Sequence, residues 1–110
     1  RIIGMQRATA LMMSAEPIVA SEALKMGMIY KIFSNDNFES SSLDFVSKLS
    51  QMPTKGLGLT KRLLNSSYSN NLEEQLEMEK QCQEIAGKTN DFDEGVQAFL
   101  NKRKPNFKGN

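Results

Sequence analysis

The sequence predicts an all-α chain, with about six helices and one short extended segment in 110 residues. Three observations carry that prediction. Apolar residues recur at three- and four-residue spacing in successive windows, the period of a helix face. Pro17, Pro53 and Pro105 stand where those windows end, and proline disfavours helix at the residue before it. Ser, Asn and Asp precede the windows, as residues whose side chains can accept from the free amides of a first turn. The length fits one domain, residues 1–110.

Each element follows in order. The first helix is predicted from Ile2 to Ser14, with Met5, Ala8, Leu11/Met12 and Ala15 on one face and Pro17 beyond its end. Ser21 is the expected cap of a short helix, Glu22 to Met26, which Gly27 stops. Met28 to Phe33 is apolar and partly β-branched, so it is expected to be extended. Asn35 or Asp36 caps a third helix from Asn37 to Gln51, whose stripe is Phe38, Phe45, Val46, Leu49 and Met52. A fourth runs from Thr54 to Ser67. Gly56 and Gly58 in its first turns each cost roughly 1 kcal/mol against Ala, which points to close packing against a neighbour. Asn65–Asn71 reads as a loop. Asn71 and Glu74 form a capping box opening a fifth helix, Leu72 to Ala86, with Leu72, Leu76, Cys82, Ile85 and Ala86 facing inward. Asp91 and Glu94 repeat that logic for a last helix, Phe92 to Arg103, striped by Phe92, Val96, Phe99 and Leu100.

Composition removes several kinds of chemistry. Histidine is absent, which excludes His-based triads, His general bases and His metal ligands within these residues. Cys82 is the lone cysteine, so no internal disulfide and no paired-cysteine zinc site can form. A reducing, cytoplasmic setting is expected. No apolar run approaches the roughly 18 residues of a membrane helix. Fourteen Lys and Arg against thirteen Asp and Glu leave a net charge of +1, which speaks against a dedicated nucleic-acid binder. The crowded apolar residues of the first helix point to a surface that a partner completes; the seven methionines read equally as part of such surfaces or as fillers of core gaps.

The remaining candidates differ in weight. Gly56-Leu57-Gly58-Leu59-Thr60-Lys61 fails the spacing of a phosphate loop and follows no strand. Glu73, Glu74 and Glu77 have helical spacing, but nothing in the sequence buries them, so they read as solvated, with Lys80 as an ion-pair partner. The chemical content lies in Lys102-Arg103-Lys104 before Pro105. The helix macrodipole alone favours cations there. Three in succession can also hold a phosphate, and a hydrogen bond to a charged group contributes roughly 1.5–3 kcal/mol.

At these residues the chain resembles the C-terminal part of the crotonase (enoyl-CoA hydratase/isomerase) superfamily. Ala20-Ser21-Glu22-Ala23-Leu24-Lys25-Met26-Gly27-Met28-Ile29 is similar to the stretch S-A-x-E-A-x-x-x-G-L-V, with Val19 in place of the leading Ser. Pro53 and Lys61 resemble the helix that begins after a proline and carries a lysine. Glu94-Gly95 through Phe99-Leu100, then Lys102-Arg103-Lys104-Pro105 and Phe107, resemble the closing motif. Residues 56–61 and 71–79 most resemble the ring-1,2-epoxyphenylacetyl-CoA isomerase group of phenylacetate degradation.

The resemblance implies an enzyme about twice this length or more, acting on a coenzyme A (CoA) thioester as substrate, with no covalently bound cofactor. Its β/α spiral core would hold the acid/base carboxylates and two oxyanion-hole amides that stabilise an enolate, each such donor contributing about 2.7–4 kcal/mol. That core would lie upstream of Arg1, so the chain is expected to be inert alone and to hold no catalytic residue. The part present would cap the CoA site and build a trimer or hexamer. Lys102 matches the position whose ammonium approaches the 3′-phosphate of CoA, with Lys104 second. Gln83 falls where an aromatic often covers the adenine. The competing readings are an independent helical protein–protein interaction module, and a helix-turn-helix nucleic-acid binder that eight acidic residues between Glu73 and Glu94 oppose.

Overall fold

The computed structural model describes residues 1–110 and contains helices, turns and no strand. Its elements are α1 (Met5–Ser14), α2 (Ala20–Lys25), a 3₁₀ turn (Asn35–Asn37), α3 (Phe38–Ser50), α4 (Thr54–Ser66), α5 (Leu72–Ala86) and α6 (Asn90–Leu100). They fall into two compact units, Arg1–Ser42 and Leu43–Asn110.

In the first unit, α1 starts three residues later than its apolar pattern does, because Gly4 at φ +81° is not helical. It ends at Ala15 in the left-handed region, φ +53°, whose amide donates to the Leu11 carbonyl 3.1 Å away. The chain has therefore left the helix two residues before Pro17. Val19, not Ser21, precedes α2, and it offers no side-chain cap. The end of α2 is the Schellman arrangement that Gly27 predicts. Gly27 takes φ +76°, its amide donates to Leu24, and the Met28 amide reaches back to Ala23. Met28–Phe33 lies outside every helix and pairs with no strand. The Met28 and Ile29 amides are already spent on the Ala23 carbonyl, and no second strand exists to form a ladder. Beyond it, the Phe33 and Phe38 rings meet edge to face at 6.3 Å.

In the second unit, α4 packs on α5. The intervening turn closes through Ser69 and Asn70 amides on the Ser66 carbonyl, and the Asn70 side chain donates to Gln75. The capping box at α5 forms as predicted, with Glu74 N–H donating to Asn71 Oδ1 at 2.9 Å and Asn71 N–H to Glu74 Oε2 at 3.0 Å. The glycines of α4 do not meet a close neighbour within the chain. A Cβ on Gly58 would touch nothing within 4 Å, and one on Gly56 would only graze Pro53.

Burial is where the sequence pattern and the structure part most clearly. The buried apolar residues are the small ones, Ala23, Cys82 and Ala98. Leu72 and Leu76, expected inside, are 73% and 54% exposed, and the α6 stripe residues Phe99 and Leu100 are 82% and 66% exposed. The accessible surface is 9128 Å². The stripes are real helix faces, but the chain does not itself supply what covers them.

Candidate functional site

The cationic end of the chain is shaped by the start of α6. Thr89, buried, caps that helix: its Oγ1 accepts from Phe92 N–H at 3.1 Å and donates to the Ala86 carbonyl at 2.6 Å. The expected capping role of Asp91 and Glu94 is thus taken by Thr89, and α6 begins at Asn90. The two carboxylates lie three residues apart, on one helix face. Both reach the segment that follows the helix.

Asp91 is 4% exposed. Its Oδ1 accepts from Lys108 N–H at 2.6 Å and its Oδ2 from Gly109 N–H at 2.8 Å, while its own amide donates to the Asn110 carbonyl. Gly109 takes φ +81°, and a Cβ there would stand 2.5 Å from Thr54 Oγ1, so glycine is required twice over. Glu94 grips the chain nearer the helix. Arg103 Nη1 and Nη2 donate to its two oxygens at 2.6 and 2.7 Å, and Asn106 N–H donates to Oε1 at 2.7 Å. The Arg103 hydrogen bonds, followed by that of Asn106, hold the Glu94 carboxyl at about 2, well below its ordinary 4.5. The same pairing raises the Arg103 guanidinium. Phe107 lies against Gly95, whose missing Cβ would sit 3.5 Å from the ring.

Between these anchors the chain turns. α6 ends at Leu100 rather than Arg103, and Lys102 adopts φ +50°. Its amide donates to Phe99, and the Arg103 amide reaches back to Ala98 at 3.0 Å. This is a second Schellman turn, with a lysine where glycine is usual. Lys102 and Lys104 are exposed, and neither side chain makes an ion pair or hydrogen bond. Of the three successive cations, then, the middle one is consumed by Glu94 and the outer two remain available to an anion. The sequence pattern marks both lysines as candidates, but it sets Lys102 inside the helix rather than in a turn beyond it, and it misses the clasp. Its signal was present: two carboxylates at i, i+3 ahead of a short basic tail were read as caps, because local capping is the commoner use of that spacing.

The other candidates resolve simply. Glu73, Glu74 and Glu77 are exposed, and Lys80 lies 3.9 Å from Glu77. Cys82 is a buried free thiol. Gln83 is exposed on α5. No three His, Cys, Asp or Glu side chains gather as a metal site, and no helix is long and apolar enough to cross a membrane. Alongside the clasp, an open apolar groove of about 450 Å³ runs past Pro53, Ala86, Phe92, Val96, Phe99 and Phe107.

The chain is similar to known proteins along its whole length. Residues 1–110 match the family described as enoyl-CoA hydratase/isomerase. The chain is 37% identical over 109 residues to the 1,2-epoxyphenylacetyl-CoA isomerase of Escherichia coli (strain K12), covering 99% of the chain and 42% of that protein. It is 32% identical to the 2,3-dehydroadipyl-CoA hydratase of the same organism, covering 99% of the chain and 43% of that protein. The crystal structure of an enoyl-CoA hydratase from Bacillus anthracis superposes with a TM-score of 0.91 at 31% identity, over 100% of this chain and 43% of that one. The chain thus spans a little over two fifths of the relatives it matches. With the match running from end to end in sequence and in fold, the chain belongs to the enoyl-CoA hydratase/isomerase, or crotonase, family, as the C-terminal helical part of that fold.

Proposed function

We propose that the chain completes an enzyme that acts on CoA thioesters by stabilising an enolate, and that its own task is to bind one side of the CoA and to join subunits. The observation that carries this is the pair of unpaired, exposed lysines, Lys102 and Lys104, in a backbone turn fixed from both sides. Lys102, with Lys104 beside it, contacts the 3′-phosphate. The two named relatives differ in acyl group and share the CoA carrier, which supports a role at the carrier end. The reaction itself is assigned to backbone donors and carboxylates outside these residues, as the family resemblance implies, and the isolated chain is expected to be inert. The chemistry proposed is of the kind that ring-epoxide isomerases such as the 1,2-epoxyphenylacetyl-CoA isomerase carry out. We place the enzyme in the cytoplasm, with no nucleic-acid or membrane partner.

The assembly role draws on helix faces that these residues leave bare: Leu72, Leu76, Phe99 and Leu100 are each more than half exposed and need a cover from the upstream core or a neighbouring subunit. A trimer, or a hexamer of two trimers, is the proposed state of the whole enzyme. The test is steady-state kinetics on the full-length enzyme. Lys102→Ala should raise KM for a CoA ester by about tenfold, the loss of one charge-assisted hydrogen bond, and leave kcat nearly unchanged. A fall in kcat at unchanged KM would contradict the phosphate assignment, and turnover by the 110-residue chain alone would contradict its inertness.

A further inference from the structure

We propose that Glu94 is a positioning residue for the phosphate contact: it ties Arg103 and the Asn106 amide to α6 and so sets the turn that carries Lys102 and Lys104. This rests on the assignment of those lysines to the 3′-phosphate.

The argument begins with the turn. α6 has ended at Leu100, and three backbone hydrogen bonds hold the next residues from within, Asn101 N–H to Gln97, Lys102 N–H to Phe99 and Arg103 N–H to Ala98. Lys102 at φ +50° occupies a conformation that L side chains disfavour, so the turn has a steric reason to relax. Glu94 opposes that relaxation. One carboxylate takes both arms of the Arg103 guanidinium and the amide of Asn106, gripping the chain on both sides of Lys104. Arg103 Nη1 also donates to the Lys104 carbonyl at 3.3 Å. A lysine stem has much rotational freedom, and the ordering cost at binding is smallest when its backbone origin is already fixed. Glu94 also separates roles among three like charges. By occupying Arg103 it leaves the flanking lysines as the ones an anion meets. Asp91 anchors the chain further along, at Lys108 and Gly109, and cannot substitute for a grip on 103–106.

The test compares the affinity of the full-length enzyme for CoA and for dephospho-CoA, by calorimetry, in the unmutated protein, Glu94→Gln and Lys102→Ala. The unmutated enzyme should prefer CoA by about tenfold or more. Glu94→Gln, with Lys102 intact, should cut that preference by at least about threefold while binding dephospho-CoA as before. A merely structural role would weaken both ligands alike and leave the preference whole, and that result would overturn the inference, as would no change in either. An unmutated enzyme that does not discriminate would overturn the phosphate assignment first, and the inference with it. Discrimination lost in Lys102→Ala but kept in Glu94→Gln would overturn the inference alone. If Glu94→Gln does not fold, Arg103→Gln, which leaves the Asn106 bond to Glu94 in place, is read by the same ratio.

Discussion

Lys102 holds a left-handed conformation at φ +50°, in the position where a Schellman turn ordinarily places glycine. For a residue with a Cβ this conformation is disfavoured by about 1–2 kcal/mol. The Schellman hydrogen bonds and the Glu94 grip on Arg103 and Asn106 hold the turn against this strain, while the Lys102 side chain itself makes no ion pair or hydrogen bond. A prediction separates fold from function at this one position. Lys102→Gly should raise stability by about 0.5–1 kcal/mol, the gain from removing left-handed strain less the entropy glycine adds to the unfolded chain. It should at the same time weaken CoA binding as much as Lys102→Ala does. Thermal denaturation beside a ligand titration checks both, and a destabilised Lys102→Gly would contradict the strain argument. The sequence exposed this lysine through its place in a motif. It did not expose the backbone conformation, because no side-chain pattern marks a lysine as left-handed.

At the scale of elements, the helices themselves were legible. α5 begins and ends at the predicted residues, since a complete capping box and Gly87 fix its two ends locally. α6 begins two residues before and ends three residues before the bounds its sequence predicts, because Asp91 and Glu94 serve a segment 9 to 18 positions further along, which no local rule contains. That clasp has an acid limit. The Glu94 carboxyl is lowered from 4.5 to about 2. Its stabilising contribution is therefore complete above about 4.5 and lost as pH falls from there towards 2. The protection factor of the Asn106 amide, its exchange measured against the intrinsic rate at each pH, should fall through that window, and Glu94→Gln should remove that fall; a pH-independent protection factor in the unmutated chain would contradict it. α4 offers a different test. Gly58 faces open space within the chain, so Gly58→Ala should stabilise α4 by about 0.5–1 kcal/mol in the isolated chain. In the assembled enzyme the same change should be neutral or harmful if the glycine admits a neighbour. A stability gain of the same size in both settings would show that nothing packs there.

The whole molecule explains why inward-facing residues were the least legible part. The stripes on α5 and α6 correctly mark one face of each helix, yet Leu72, Leu76, Phe99 and Leu100 remain more than half exposed. Hydrophobic period reports that a face is to be covered; it does not report whether the cover belongs to the same chain. Family membership supplies the scale, since the chain spans 42% of a relative that it matches along 99% of its own length. On the proposed function, these helices complete a CoA-thioester enzyme whose chemistry lies in residues outside this chain. The measurement that decides it is the sequence of the transcript upstream of the Arg1 codon. An open frame continuing into alternating strands and helices of a crotonase core, with its carboxylates, is expected. A start codon immediately ahead of Arg1 would contradict the proposal and leave a free-standing helical module.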